Sequence, residues 1–199
     1  WQQKQLKALS TSLSGDFAAL NLHLVAAKRF PVALETTVNV LNPQLTYQGS
    51  LRWGQVQSPW LAAQEFSSRH GQVIVRGNKK GLVLSLVTDL KGKLYPQGEY
   101  RAYAETDWHS IHLLPLEART LLGGLIRAEG HVAWKKSITW DIASQWLNVV
   151  PARQWPVTAP YLPLLTGNLQ SKGLANHVGS DLTFKASWLN QETWQGHLV

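Results

Sequence analysis

The stretch Leu116–Trp146 constrains the fold of this chain more than any other. From Leu122 the even positions read Leu122, Gly124, Ile126, Ala128, Gly130, Val132 and Trp134, with Arg127, Glu129 and His131 between them. Successive side chains of a strand point to opposite faces, so this pattern describes a strand with one apolar and one polar face. Lys135-Lys136-Ser137 interrupts it, and Ile138, Trp140, Ile142, Ser144 and Trp146 resume it against Thr139, Asp141 and Gln145. The stretch predicts two long strands joined by a short basic turn, with Trp134, Trp140 and Trp146 on one dry face.

The same period of two recurs along the chain. Leu20, Leu22 and Leu24 alternate with Asn21 and His23, and Val32 to Val40 continues in the same way. Leu45, Tyr47, Gly49, Leu51 and Trp53 alternate with Gln44, Thr46, Gln48, Ser50 and Arg52. Val73 and Val75 lead into the turn Asn78-Lys79-Lys80-Gly81, and Leu82, Leu84 and Leu86 lead out, which predicts a hairpin. Tyr100, Ala102, Ala104, Thr106 and Trp108 give a further strand, and Ile111–Leu116 reads as a lead through Pro115 into the central ribbon. Residues 1–14 are expected to be extended, although Leu6, Leu9 and Leu13 also fit helical spacing. Ser58-Pro59 could cap a short helix over the following WLAAQEF, but its position among strands favours strand or irregular structure. The prolines at 151, 156, 160 and 163 argue against an inner strand, so 149–167 is expected to be a crossover or a seam between two units.

These runs, separated by turn signals, point to an all-β fold within a chain of 199 residues. A closed sandwich, a barrel and an elongated open sheet are all compatible with the pattern. The phrase Gly-x-(Leu/Val)-x-Trp occurs at 49–53 and 130–134 and hints at internal repetition.

Chemistry-bearing constellations are scarce. With no cysteine, neither a disulfide framework nor a thiolate metal site can form. The seven histidines are dispersed, and His109 and His112 fall on opposite faces of an extended chain. Asp107-Trp108-His109-Ser110 contains the residue types of a Ser/His/Asp site, yet neighbours along a strand cannot converge. Gly123-Gly124 is followed by no P-loop lysine, and a bulge or close packing explains it better. The expectation is a non-enzyme with no metal and no cofactor. A net charge of +7 comes from scattered basic residues in a chain only 16% charged, so nucleic acid is not the expected partner. No apolar run approaches the roughly 20 residues that span a bilayer. What remains is the apolar face itself, which is either a sandwich core or a groove for an apolar ligand.

The order and spacing of several phrases resemble the TamB family. They are Gly71–Gly77, Leu82–Leu86, Tyr95–Tyr100, Leu116–Gly124 with its Leu-x-Ala-x-Thr-Leu-x-Gly-Gly, Gly130–Trp134, and Ile138-Thr139-Trp140. The resemblance runs from about residue 45 through 175. It implies a member of the AsmA-like superfamily, with a long curled β-sheet forming an open apolar groove, a β-taco, rather than a closed barrel. The chain would then be a fragment of an elongated periplasmic groove, a middle section of a protein anchored in the inner membrane. The implied function is transfer of phospholipid acyl chains between inner and outer membranes. The alternative is a scaffold for outer-membrane protein assembly with the barrel protein TamA, which would be met by other parts of the parent chain. On this reading the groove lining comprises Val73, Val75, Leu82, Leu84, Leu86, Ile126, Val132, Trp134, Ile138, Trp140, Ile142 and Trp146. Lys79, Lys80, Lys135 and Lys136 would lie near phosphates at the open edge, and Gly123, Gly124 and Gly130 would mark bends or bulges of the sheet.

Overall fold

The computed structural model describes residues 9–26, 31–58, 66–92, 96–121, 123–135, 137–151, 164–174, 177–186 and 193–198. The elements described are strands: β1 (Leu9–Asp16), β2 (Ala19–Ala26), β3 (Val32–Asn39), β4 (Thr46–Trp53), β5 (Val56–Ser58), β6 (Phe66–Ser68), β7 (Gly71–Asn78) and β8 (Gly81–Gly92). They continue as β9 (Gly98–Thr106), β10 (Ser110–Thr120), β11 (Leu125–Ala133), β12 (Thr139–Val149), β13 (Leu165–Leu174), β14 (His177–Ala186) and β15 (Thr193–Leu198). All belong to one 15-stranded sheet ordered β1-β2-β3-β4-β7-β8-β9-β10-β11-β12-β13-β14-β15, with β5 paired to β6 and β6 to β8 beside that path. Every pairing is antiparallel. Strands β1 and β15 are its two ends, so the sheet is open and is not closed into a barrel.

The architecture follows from the turns. Short connections between consecutive strands allow only antiparallel neighbours, and the turns carry the side chains that close them. Asp16 Oδ1 accepts from the backbone amides of Ala18 and Ala19 at 2.8 and 3.0 Å, and Asn78 Oδ1 accepts from Lys80 N at 2.8 Å. The β10–β11 turn is built by glycines. Thr120 N donates to Gly124 O, Gly123 N to Thr120 O, and Gly123 holds φ at 84°. Gly123 and Gly124 are therefore turn residues, not bends within a strand. A Cβ at Gly123 would meet nothing within 4 Å, so only the backbone conformation requires glycine there. Gly123→Ala is expected to cost about 1 kcal/mol in urea denaturation, and Gly123→Asn markedly less.

Two irregularities set the parity of the apolar face. In β10 an extra residue is inserted between Leu113 and Leu116, against both β9 and β11. Pro115, which has no N–H to give to a ladder, sits in this bulge. The segment 110–120 is thus a full inner strand, where the sequence suggested only a lead-in. In β12 the register shifts between Trp146 and Val149, and Asn148 adopts φ 52°. Of the proline-bearing stretch 149–167, Val149 ends β12 and Leu165–Gly167 begin β13, and these strands pair directly. Residues 152–163 of the expected seam lie outside the described residues, as do residues 1–8 and 59–65, on which the N-terminal and WLAAQEF readings largely fall.

The buried apolar residues among those described are Tyr100, Ala104, Ala118 and Val149. The first three cluster on β9 and β10, where Tyr100 pairs with Ala118 and Ala104 with Leu113. The two alanines are small and are shaded by larger neighbours in the same layer. The accessible surface is 13902 Å², against about 9,400 Å² for a compact monomer of this mass. Among the described residues the sheet is a single layer, with no second layer packed on either face.

Candidate functional site

Directly paired residues in an antiparallel ladder lie on the same face, so the register follows one face across the sheet. Leu22 of β2 pairs with Thr36 of β3, which pairs with Gly49 of β4, which pairs with Val75 of β7. Val75 pairs with Leu84, Leu84 with Ala104, Ala104 with Leu113, and Leu113 with Gly130. Gly130 then pairs with Ile142, and Ile142 with Ser171 of β13. Rows on either side of this one contain Leu24, Leu34, Leu51, Val73, Leu86 and Ala102, and further along Val132 and Trp140. The result is one continuous, predominantly apolar face.

Ten of the twelve lining residues named from the sequence occupy it within strands. They are Val73, Val75, Leu82, Leu84, Leu86, Ile126, Val132, Trp140, Ile142 and Trp146, and each is half-buried. Their flanks touch neighbours in the layer while their tips stay accessible. Trp134 and Ile138 lie instead in the β11–β12 turn, 45% and 54% exposed, at the rim of the sheet. Sequence reading omitted Ile111, Leu113, Leu116 and Ala118, which join β9 to β11 on this face. A strict period of two cannot place Leu113 and Leu116 together, and the Pro115 bulge does.

Tryptophans are seated on the face by a device seen at two places among the described residues. Trp53 pairs with Gly71, and Trp140 with Gly173. A Cβ at either glycine would fall within the indole of its tryptophan. Each indole also donates from Nε1 to a serine hydroxyl, Trp53 to Ser68 at 2.9 Å and Trp140 to Ser171 at 3.1 Å. The ring lies over glycine and its polar atom is satisfied, leaving an apolar plate on the face. The repeated unit is this cross-strand pair rather than the phrase Gly-x-(Leu/Val)-x-Trp, because Trp134 of the second phrase stands in a turn.

The serine under Trp53 belongs to a polar cluster that ties β6 to β8. Ser68 Oγ lies 3.0 Å from Thr88 Oγ1, and both residues are buried. Asp89 accepts from Arg69 N at 2.7 Å, from Arg69 Nε at 2.7 Å, from His70 N at 3.0 Å and from Ser68 Oγ at 3.2 Å. Burial pushes the Asp89 carboxyl up, but the Arg69 side chain, the two amides and the serine outweigh it and hold it down at about 2 from an ordinary 3.8. The folded state therefore binds this proton more weakly than the unfolded state. The resulting stability, about 2 kcal/mol, is complete above 3.8 and is lost as pH falls from there towards 2. Urea midpoints followed down through this range are expected to drop steeply, and Asp89→Asn should flatten that dependence.

The opposite face carries the charged cross-strand pairs, with Ile74, Val87 and Tyr103 exposed among them. Glu117 and Arg127 pair across strands at 3.0 Å, as do Asp141 and Lys172 at 3.0 Å. Such exposed pairs add little stability, but they mark the wetted side. His112 and His131, also cross-strand partners, meet edge to face with ring centroids 5.0 Å apart. An open depression of about 730 Å³ lies there, lined in part by Arg76, Lys80, Glu105, His112, His131 and Asp141. Its mixed charge suits water better than an apolar ligand. No group of three or more potential metal ligands occurs among the described residues.

Asp107–Ser110 forms the β9–β10 turn, so these side chains do converge, contrary to the strand-based expectation. Their connections are those of a turn. Asp107 Oδ1 accepts from His109 N, Ser110 N and Ser110 Oγ at 3.0, 2.7 and 3.0 Å, and His109 Nδ1 meets only the Asp107 carbonyl at 3.3 Å. The serine hydroxyl faces the carboxylate and not the imidazole, which is the wrong order for activating a nucleophile. The His109 amide, first, and then Ser110 hold the Asp107 carboxyl below its usual range.

Together, the fold and this face define a class: single-layered antiparallel sheets with one unbroken apolar side and one wetted side. The family model "TamB, N-terminal domain" matches residues 1–195, and the chain belongs to the TamB family. That match extends beyond the resemblance at 45–175. Comparison with curated proteins returned no match, and comparison with solved structures returned none. Among the described residues no helix is long and apolar enough to cross a membrane.

Proposed function

We propose that the apolar face acts as a groove that conducts phospholipid acyl chains through the periplasm between the inner and outer membranes, without chemistry. The observation that supports this reading is the continuity of the face from β2 to β13 while its aliphatic residues from β7 to β12, Val73, Val75, Leu82, Leu84, Leu86, Leu113 and Ile142 among them, stay half-buried. Aliphatic side chains and tryptophan plates offer an acyl chain about 0.8 kcal/mol per methylene removed from water. This attraction has no direction, so a chain can slide from row to row without breaking a specific contact. Membership of the TamB family supports a role in outer-membrane biogenesis, with the outer-membrane protein TamA as partner. Native mass spectrometry of the protein purified from cells tests the reading. Phospholipid retained on the protein is expected, and its complete absence would sink the proposal.

One observation favours a second role, as a scaffold for outer-membrane protein assembly. Every residue of β1 is exposed, and β1 has a partner on one side alone among the described residues. On this second reading the β1 edge takes a strand from an unfolded client. Crosslinking from Ser12 to an unfolded outer-membrane polypeptide would support the scaffold, and retention of that crosslink in a lipid-free variant would separate it from lipid conduction.

A further inference from the structure

Three successive turns on one long edge of the sheet form a patch unlike the polar turns of a soluble protein. They are the β7–β8, β9–β10 and β11–β12 connections, spaced by two strands each, or about 10 Å. Trp108 and Trp134 stand on this edge 48% and 45% exposed, beside Ile138 at 54%. A chain of hydrogen bonds fixes them: Trp108 Nε1 donates to the carbonyl of Lys79 at 3.1 Å, and Trp134 Nε1 donates to the carbonyl of Trp108 at 3.1 Å. Trp108 holds φ at 72°, a left-handed conformation that is unfavourable for a bulky residue. The indole nitrogens are thus turned inward to carbonyls and the rings remain accessible. Lys79, Lys80 and Lys135 surround them, exposed, and none makes an ion pair among the described residues. The nearby Asp107 carboxylate is occupied by its own turn.

We propose that this edge docks on the surface of a bilayer containing anionic phospholipid. Tryptophan favours the boundary between headgroups and acyl chains, where its ring is desolvated while its N–H keeps a partner. Lysines beside it gain from the negative surface, each by a few-fold in partitioning. An edge so built meets a membrane with both halves of its chemistry matched, apolar rings below and ammonium groups at phosphate level. Docking here is separate from filling the apolar face, because all six residues lie in turns at its rim, and it lays the strand order along one bilayer, an orientation apart from conduction between the two membranes.

The chain has no cysteine, so single probes can be placed cleanly. Ser137→Cys, in the β11–β12 turn, and Gln145→Cys, on the polar face of β12, would each carry an environment-sensitive fluorophore. The protein would be mixed with phosphatidylcholine vesicles with or without phosphatidylglycerol. Partitioning to the anionic vesicles is expected, weakening with salt, with a blue shift at position 137 and none at 145. The combined variant Lys79→Gln, Lys80→Gln, Lys135→Gln should partition about 100-fold less, with an unchanged β-sheet circular dichroism spectrum. Trp108→Ala with Trp134→Ala should remove the blue shift at 137. No partitioning to anionic vesicles, equal shifts at both positions, or undiminished binding by the lysine variant would each overturn the proposal.

Discussion

Replacing Leu84 by arginine is expected to strip phospholipid from the protein while leaving its sheet intact. Leu84 lies on the row that joins Val75 to Ala104 and is half-buried. In the empty protein an arginine there can reach water, so the cost to folding is small. An acyl chain passing over it must desolvate an unpaired guanidinium, a penalty of several kcal/mol. Retained phospholipid should therefore fall by about 100-fold. Ile142→Arg, on the same row at β12, should do the same if chains travel across the sheet. Ser85→Arg, one residue from Leu84 and on the opposite face, should leave retention unchanged. Quantitative lipid analysis of the three purified variants, with circular dichroism as the folding control, gives the comparison.

The second large effect concerns stability. Gly71→Val places a side chain where the Trp53 ring and Thr88 Oγ1 already sit, so the indole must leave its seat. That movement breaks the Trp53–Ser68 hydrogen bond and disturbs the Ser68–Thr88–Asp89 cluster. Overpacking and an unsatisfied polar group together are expected to cost about 3 kcal/mol in chemical denaturation. The diagnostic outcome is a double-mutant cycle. In a Trp53→Ala background the valine meets far less obstruction, so most of its cost should disappear. If Gly71→Val costs the same with and without Trp53, the indole is not what requires glycine there.

Much of this molecule is legible in its sequence because an antiparallel ladder preserves parity. Once Leu82, Leu84 and Leu86 are read as one side of a strand, Val73 and Val75 must share it through the turn at Asn78–Gly81, and the structure pairs them so. The all-β class and the two faces follow from the same alternation. What the sequence conceals is register, since a single inserted residue exchanges the faces beyond it. Pro115 hid a bulge that makes 110–120 an inner strand, and Asn148 hid another at the end of β12. Cross-strand partners were hidden for the same reason. Trp53 and Gly71, Trp140 and Gly173, and His112 and His131 are distant in sequence, and their meeting depends on every intervening turn. Gly123 and Gly124 illustrate the converse, since their local signal was real but it announced a hairpin turn instead of a bend.

The most direct measurement uses the period of two itself. A photo-crosslinking amino acid is placed at position 84 in one protein and at position 85 in another, and each is irradiated in cells. Leu84 and Ser85 are neighbours in β8 whose partners, Val75 and Ala104 for the first and Ile74 and Tyr103 for the second, lie on opposite faces. Phospholipid adducts at position 84 and none at 85 are the predicted result. Equal labelling at both positions, or labelling at 85 alone, would contradict an acyl-chain path along the apolar face.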